Sequence, residues 1–471
     1  MSSKTLAHPS VSLKLTDELL KRTTSRCPVC RVACPAEVWR TGGIPSRVLL
    51  NRTCPEHGAE SVCIASDARF YWLAKGRAEN ESCGCGPGSC CSADGSNTGT
   101  LGRNADPGEA LGIQEKLSTC LALIEIVNSC NLSCPTCYAD SPAGIGPKVD
   151  AVPLADLQRR IQGVVDRKGK IEILQLSGGE PTLHPQFFEL LRWLQSHPQI
   201  DYVLLNTNGV RLAQENAFAD ELAATFRYGK FQLYLQFDGT QEAGQQFLRG
   251  ADLRGLRERC LERCREMELP VTLAMTVTPE NLPFVWGAID FGLRWPNVRG
   301  ISFQPVFTSG RIPNQSTLTA LPAARLNTAD IILAAVGQSA GKLRFEDFTP
   351  LPCGDPNCAT IGYLLKIGGL VRSVSDFIDF KNVQGFLGTK VRYKLEDLMK
   401  CGCESEPLGE LLKKFELDES HTFRLFVKPF MDAQTWDEDR IDRCCTHVIR
   451  PDGKLDSFCR YYSGFADGKT Q

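Results

Sequence analysis

Asn128-Ser-Cys-Asn-Leu-Ser-Cys-Pro-Thr-Cys-Tyr138 sets three thiols at C-x3-C-x2-C spacing, directly after the apolar run Leu121–Val127. That run reads as a strand of the buried type. Three thiolates converging from one short loop can hold three irons of a cubane and leave the fourth iron without a protein ligand. Tyr138 stands where a fourth cysteine would have closed the set. An iron with an open position can bind and activate a small molecule, whereas a fully ligated cluster mainly carries electrons. A zinc site or a chance grouping is the plain alternative.

Downstream of the loop, strand-like runs recur at Ile171–Leu176, Tyr202–Asn206, Phe231–Phe237, Val271–Val277 and Gly300–Val306. Helical periodicity lies between them, near 153–167, 185–195, 211–226, 252–267 and 282–293. Six strands alternating with helices predict an α/β fold whose parallel sheet is open or partly closed, a partial (β/α)6 barrel. Sites in such folds gather on the loops after the C-terminal ends of the strands. The cysteine loop is one of these.

The 471 residues exceed one ordinary core, and three zones are expected: 1–118, 119–310 and 311–471. The first is a small metal-knuckle domain with a cysteine-rich tail, the second the barrel, the third a cysteine-rich region. Lys+Arg 53 against Asp+Glu 55 leaves a net charge of -2, which gives no overall field for nucleic acid. The N-terminus lacks an apolar signal region and no run of 18 apolar residues occurs, so a cytoplasmic protein is expected. In a reducing compartment the 22 cysteines read as metal sites rather than disulfides.

Cys27-Pro-Val-Cys30 and Cys54-Pro-Glu-His57 form two knuckles whose four S/N ligands suit a tetrahedral zinc or a rubredoxin-like iron. His57 could instead cap a turn, and Cys34 and Cys63 compete as ligands. Cys83, Cys85, Cys90, Cys91 and Cys120 could supply a second cubane. Cys353 and Cys358, with Cys444, Cys445 and Cys459, could supply a third; Pro451-Asp-Gly-Lys454 makes a hairpin turn between the late thiols. Cys401 and Cys403 stay unassigned. Cys260 and Cys264 continue the apolar stripe Leu253, Leu256, Cys260, Cys264, Met267 and are expected to be buried free thiols.

The second strand ends in Ser177-Gly-Gly-Glu-Pro-Thr182, the third in Asn206-Thr-Asn-Gly209 and the fourth in Gln236-Phe-Asp-Gly239. Glycines let backbone approach a zwitterionic ligand closely, and Glu180 can accept from an ammonium group. The cysteine spacing, its place after the first strand and the Gly-Gly-Glu-Pro element resemble the radical S-adenosylmethionine (SAM) superfamily over about 120–306. The resemblance implies that Cys130, Cys134 and Cys137 hold a [4Fe-4S] cluster. It places SAM against Gly178, Gly179, Glu180, Asn208 and Asp238. Arg249 can pair the cofactor carboxylate or stand at the surface. One electron, from a donor such as ferredoxin or flavodoxin, then cleaves SAM to a radical that takes hydrogen from substrate.

The N-terminal knuckle ending in Cys-Pro-Glu-His-Gly, the Pro-Cys-x4-Cys element and the late Cys-Cys…Phe-Cys hairpin resemble the archaeal tetraether synthase subgroup. So does Gln304-Pro-Val-Phe-Thr-Ser-Gly-Arg311. That likeness implies auxiliary [4Fe-4S] clusters, a mononuclear iron or zinc, and carbon–carbon coupling of lipid chains, with peripheral contact to a membrane left open. The crowded cysteines at 83–91 depart from the subgroup's compact pattern. The rival readings are a radical enzyme modifying a peptide or cofactor precursor, and an electron-transfer protein. Phe303, Phe307, Leu364, Phe377 and Phe380 are candidates for an apolar channel or for plain core. Replacing Cys130, Cys134 and Cys137 together by Ala should remove about four irons per chain and abolish 5′-deoxyadenosine formation. Cofactor cleavage at the wild-type rate in that variant would refute the assignment.

Overall fold

A computed structural model describes residues 17–72, 119–312, 325–351, 354–377 and 421–464. Cys83, Cys85, Cys90, Cys91, Cys353, Phe380, Cys401 and Cys403 lie outside the described residues.

The N-terminal unit is an antiparallel sheet of β1 (Glu18–Arg26), β2 (Ala33–Arg40), β3 (Val48–Cys54) and β4 (Gly58–Ala65), in that spatial order. Alternating inward residues Ala36, Val38, Val48, Leu50 and Val62 form its small core. The two knuckles are the turns β1–β2 and β3–β4, so antiparallel pairing alone brings them to one end.

The six expected parallel strands are present: β5 (Leu121–Val127), β6 (Ile171–Gly178), β7 (Ile200–Thr207), β8 (Phe231–Gln236), β9 (Val271–Val277) and β10 (Val298–Pro305). They pair in sequence order, each parallel to the next. The helices Leu154–Lys168, Phe187–Ser196, Asn216–Thr225, Arg254–Glu266 and Val285–Leu293 cross back over one face. Cys260 and Cys264 are both fully buried in the core beneath them, as their stripe predicted.

The strand-like runs Tyr363–Ile367 and Thr422–Val427 of the third zone are strands, and their joining this sheet is what the sequence did not foretell. After β11 (Thr349–Pro350), β12 (Thr360–Ile367) and β13 (Leu370–Ser373) come β14 (Thr422–Val427), β15 (Thr446–Ile449) and β16 (Leu455–Ser457). β14 pairs parallel with β10, and β15 pairs parallel with β5. Eight adjacent strands are therefore parallel, with β12 and β16 antiparallel at the two flanks. The hairpin β15–β16 turns at Pro451–Gly453, where Gly453 takes a left-handed φ of 80°. Residues two apart on seven of these strands, with Thr446 of β15, line a single cavity, so the sheet curves around it. Across the gap between β14 and β15, Lys428 Nζ donates to Thr446 Oγ1 at 3.0 Å.

The junction of β10 with β14 depends on Gly300. A Cβ there would lie 2.4 Å from the Arg424 carbonyl oxygen. Gly300→Val should therefore unseat β14 and lower stability by about 1–3 kcal/mol, read as a drop in melting temperature. An unchanged melting curve would show that this strand pairing contributes nothing.

Candidate radical and metal centres

The cysteine loop leaves β5 and is held from three directions. Cys130 N donates to the Pro142 carbonyl, and Gly144 N to the Cys130 carbonyl, each at 2.9 Å. Cys137 and Arg311 exchange two backbone hydrogen bonds of 2.9 Å. The Arg311 guanidinium reaches further, from Nε to the Cys134 carbonyl at 2.9 Å and from Nη2 to the Ser141 carbonyl at 3.0 Å. Arg311 thus clamps two of the three cysteines by their backbones. Its role was not readable beforehand, because the clamp joins positions more than 170 residues apart.

Gly178 and Gly179 form the third anchor. A Cβ on Gly178 would meet Val127 O at 2.1 Å, and one on Gly179 would meet Ser129 O at 2.0 Å. Their physical need is the close passage of the end of β6 against the start of the cysteine loop. Gly179 N donates to Val127 O (2.8 Å) and Glu180 N to Ser129 O (3.0 Å).

Glu180 is 1% exposed and ties the next two loops together. Its Oε1 accepts from Thr182 N, Thr182 Oγ1 and Thr207 Oγ1 at 3.2, 2.7 and 2.8 Å, and its Oε2 accepts from Asn208 N at 2.8 Å. Burial raises its pKa, against the pull of those donors. Oε2 keeps acceptor capacity for a further donor such as an ammonium group. Asn208 Nδ2 donates to Asn131 Oδ1 at 2.7 Å and approaches Cys130 Sγ at 3.7 Å.

Asp238 and Arg249 form a buried fork at the ends of β8 and of the short helix Gln245–Arg249. Arg249 Nε and Nη2 donate to the two Asp238 oxygens at 2.6 and 2.9 Å, and Nη2 also reaches Thr276 Oγ1 at 3.3 Å. Arg249 is therefore no surface residue: its side chain is 9% exposed and lies beside the Cys134 thiol. Asp238 adopts a φ of 63°, a conformation that non-glycine residues enter at a cost.

The chemistry of the donors fits an iron–sulfur cluster. Burial pushes the Cys130 thiol up to about 12, with the Glu180 carboxylate and the two neighbouring thiols adding to the shift. Cys134 is raised by burial against the pull of Arg249. Buried thiols such as Cys130 and Cys134 ionise readily only beside a cationic partner such as a metal centre. Among the described residues, the one set of three or more ligand atoms within 4.8 Å of one another is the N-terminal knuckle. The three loop sulfurs do not form such a set, which sets them apart from the knuckle.

At the knuckle, Cys27, Cys30, Cys54 and His57 converge. Cys30 Sγ and Cys54 Sγ are 3.6 Å apart, as are Cys54 Sγ and His57 Nδ1. A tetrahedral site with metal–sulfur bonds near 2.3 Å has edges of about 3.8 Å. Of the two competing thiols, Cys34 donates to the Val32 carbonyl at 3.3 Å, and Cys63 lies on β4 near Asp330.

In the C-terminal region burial pushes the Cys444 thiol up to about 12 with Cys358 adding to it, and Cys459 is raised by burial with Cys444 and Cys358 adding to it. Arg440 Nη2 lies 3.7 Å from Cys358 Sγ. Both thiols of the expected Cys444-Cys445 pair lie here, Cys444 beside Cys358 and Cys459, and Cys445 beside Gly354. A Cβ on Gly354 would lie 3.3 Å from Cys445 Sγ, so Cys445 faces the loop that follows Cys353. Adjacent residues of an extended chain point to opposite sides, and the C-C pair alone does not say which thiol turns inward. Cys120 adjoins the same place through its amide, which donates to the Cys445 carbonyl at 3.0 Å.

Fold and donor set together define a SAM-cleaving iron–sulfur enzyme with a separate N-terminal metal knuckle. A model of the radical SAM superfamily matches residues 124–291, and a model described as the HMPTM N-terminal zinc ribbon domain matches residues 19–66. The chain thus carries a radical SAM domain, with [4Fe-4S] and SAM as its cofactors, and a zinc ribbon domain at its N-terminus. It is 28% identical to the 7,8-dihydro-6-hydroxymethylpterin dimethyltransferase of Methanocaldococcus jannaschii, over 94% of this chain and 93% of that one. It is 34% identical to the GTP 3′,8-cyclase of Chlorobaculum tepidum, over 20% of this chain and 26% of that one. Among solved structures, Streptococcus suis SuiB bound to S-adenosylmethionine aligns at 18% identity over 43% of this chain and 46% of that one, with a TM-score of 0.33. Among the described residues no helix is long and apolar enough to cross a membrane.

Glu180→Gln replaces one acceptor oxygen by a donor and leaves a buried hydrogen bond unmade. Stability should fall by about 1–3 kcal/mol and SAM affinity by about tenfold, with iron content unchanged. Wild-type affinity in a SAM titration would return Glu180 to a purely structural role.

Proposed function

We propose that this radical SAM enzyme abstracts hydrogen from unactivated carbons of a lipid and joins two alkyl chains by a carbon–carbon bond. In this reading Cys130, Cys134 and Cys137 hold the cluster. Gly178, Gly179, Glu180, Asn208, Asp238 and Arg249 frame SAM beside it. Together the bound groups supply the one-electron cleavage that creates a hydrogen-abstracting species. The protein orients the substrate and keeps water out.

The observation that carries the reading is the wall of the central cavity, about 290 Å3 in volume. Leu121, Leu123, Ile173, Leu204, Phe307 and Phe458 give it an apolar lining. Its polar side chains largely satisfy one another across the strands. Gln175 donates to Asn206, Asn206 to Ser177 (3.1 Å), and the Tyr138 and Ser177 hydroxyls share a bond of 3.1 Å. Tyr202 donates to Gln232 (3.3 Å), Gln232 to Thr272, and Gln304 to the Tyr234 hydroxyl (2.8 Å). Groups already paired ask no hydrogen bond of a ligand, which favours a substrate of low polarity. Of the channel candidates, Phe307 lines the cavity, Phe303 and Leu364 belong to the core under the helices, and Phe377 is 36% exposed.

Coupling takes one hydrogen atom from each of two carbons, each abstraction spending one SAM and one donated electron, and the two carbon radicals then join with no electron left over; the electrons must reach the radical cluster one at a time. Cys358, Cys444 and Cys459 are proposed to hold an auxiliary cluster that serves this purpose, and ferredoxin or flavodoxin to supply the cleaving electron. The second reading is methylation of a dihydropterin, favoured by the name of the M. jannaschii relative, which aligns over nearly the whole chain. Reduced enzyme with SAM is to be given a membrane lipid extract in one vessel and 7,8-dihydro-6-hydroxymethylpterin in another. Two 5′-deoxyadenosines per coupled lipid support the first reading. Consumption of the pterin with the lipid untouched replaces it by the second.

A further inference from the structure

A second, smaller cavity of about 40 Å3 lies behind the first, and Pro305, Val306 and Phe430 line both. The partition is therefore one side chain thick. Its far wall comes from another part of the chain: Ile64 on β4 of the N-terminal ribbon and Phe70 and Trp72 just after it, with Leu326 and Met431 beside them. Arg325, Asn327, Thr328, Asn357, Thr435 and Arg440 also line it, and several of their polar groups are engaged. Asn357 Oδ1 accepts from Trp72 N at 2.9 Å and its Nδ2 donates to Trp72 O at 2.6 Å. Arg325 pairs with Asp432, and Arg440 donates to the Asn357 carbonyl at 3.0 Å. The Tyr71 hydroxyl, without a hydrogen-bond partner among the described residues, feels the charges of Lys21, Asp437 and Arg440 at the ribbon junction.

An unbroken aromatic path leads there from the cysteine loop. Tyr138, next to Cys137, has its ring 5.7 Å from that of Phe458; Phe458 stacks on Phe430 at 4.1 Å, and Phe307 lies 5.4 Å from Phe430. Aromatic side chains packed in this way offer a continuous apolar surface without unmet polar groups. A cavity of this size has room for about three water-sized groups, the last few carbons of a chain rather than a ring system.

We propose that this cavity is a second substrate subsite, which receives the end of an alkyl chain past Phe430 and whose far wall the N-terminal ribbon helps to build. The inference rests on the lipid reading above and gives the ribbon a part in substrate binding as well as metal binding. Phe430 is the specificity-determining residue, since its ring separates a short chain held in the first cavity from a longer one that reaches the second.

The test uses bromine, which quenches tryptophan fluorescence only near contact. The full chain is titrated with 16-bromohexadecanoic acid, with 2-bromohexadecanoic acid, and with each acid against Trp72→Phe; binding is followed separately by calorimetry. The expected result is that the terminal bromide quenches a component of emission that Trp72→Phe lacks, several-fold more strongly than the 2-bromo acid. Leu326→Trp, which fills the subsite, should weaken hexadecanoic acid about tenfold and leave dodecanoic acid unchanged. Calorimetric binding with equal quenching in wild type and Trp72→Phe overturns the subsite and leaves the lipid reading standing. If neither acid binds, both fall together.

Discussion

Two strands that pass too closely for any side chain between them fix the chemistry of this protein. The end of β6 runs against the first residues of the cysteine loop, with positions for a Cβ on Gly178 and Gly179 already taken by the carbonyl oxygens of Val127 and Ser129. Two backbone hydrogen bonds then bind Gly179 and Glu180 to that loop. Everything placed afterwards inherits this contact. Glu180 points from it into the ends of β6 and β7, where its carboxylate gathers Thr182, Thr207 and Asn208. Asn208 in turn approaches Cys130. The glycine pair is thus a hinge-free joint between the cluster loop and the loops that would frame SAM.

Around that joint the chain spends its late residues on the sheet edges. Antiparallel hairpins would have left β5 and β10 as exposed edges, open to unwanted pairing. Instead β15 covers β5 and β14 covers β10, both in parallel register, and Lys428 reaches Thr446 across the remaining gap. The same segments carry Cys444 and Cys459 to the cavity's side, where Cys358 meets them. Covering the edges and assembling the second thiol group are one structural act.

The ribbon docks on this C-terminal region through charge. Lys21 Nζ lies 2.7 Å from Asp437 and 2.9 Å from Asp439, Thr23 donates to Asp437 at 2.7 Å, and the buried Arg52 donates to the Gln434 carbonyl at 2.6 Å. Asp437 is almost fully buried, so breaking one partner would strand a charge. The metal knuckle and the thiols near Cys444 are therefore held in one framework, although no zone of the sequence contains both.

The sequence by itself determined what depends on neighbours along the chain. Apolar runs of the buried type located β5 to β10, stripes at helical spacing placed Cys260 and Cys264 in the core, and the C-x2-C and C-x2-H spacings marked the four knuckle residues that converge. Such signals are local because periodicity and short loops constrain residues close in number. Only the tertiary structure decided matters that join distant positions. It made Arg311 the clamp of the cysteine loop, turned Arg249 inward onto Asp238, set Cys444 beside Cys358, and sent β14 and β15 to opposite edges of one sheet. The physical reason is the same in each case. These choices are settled by which buried donor, charge or strand edge finds its partner in space, and no spacing within a single segment carries that information.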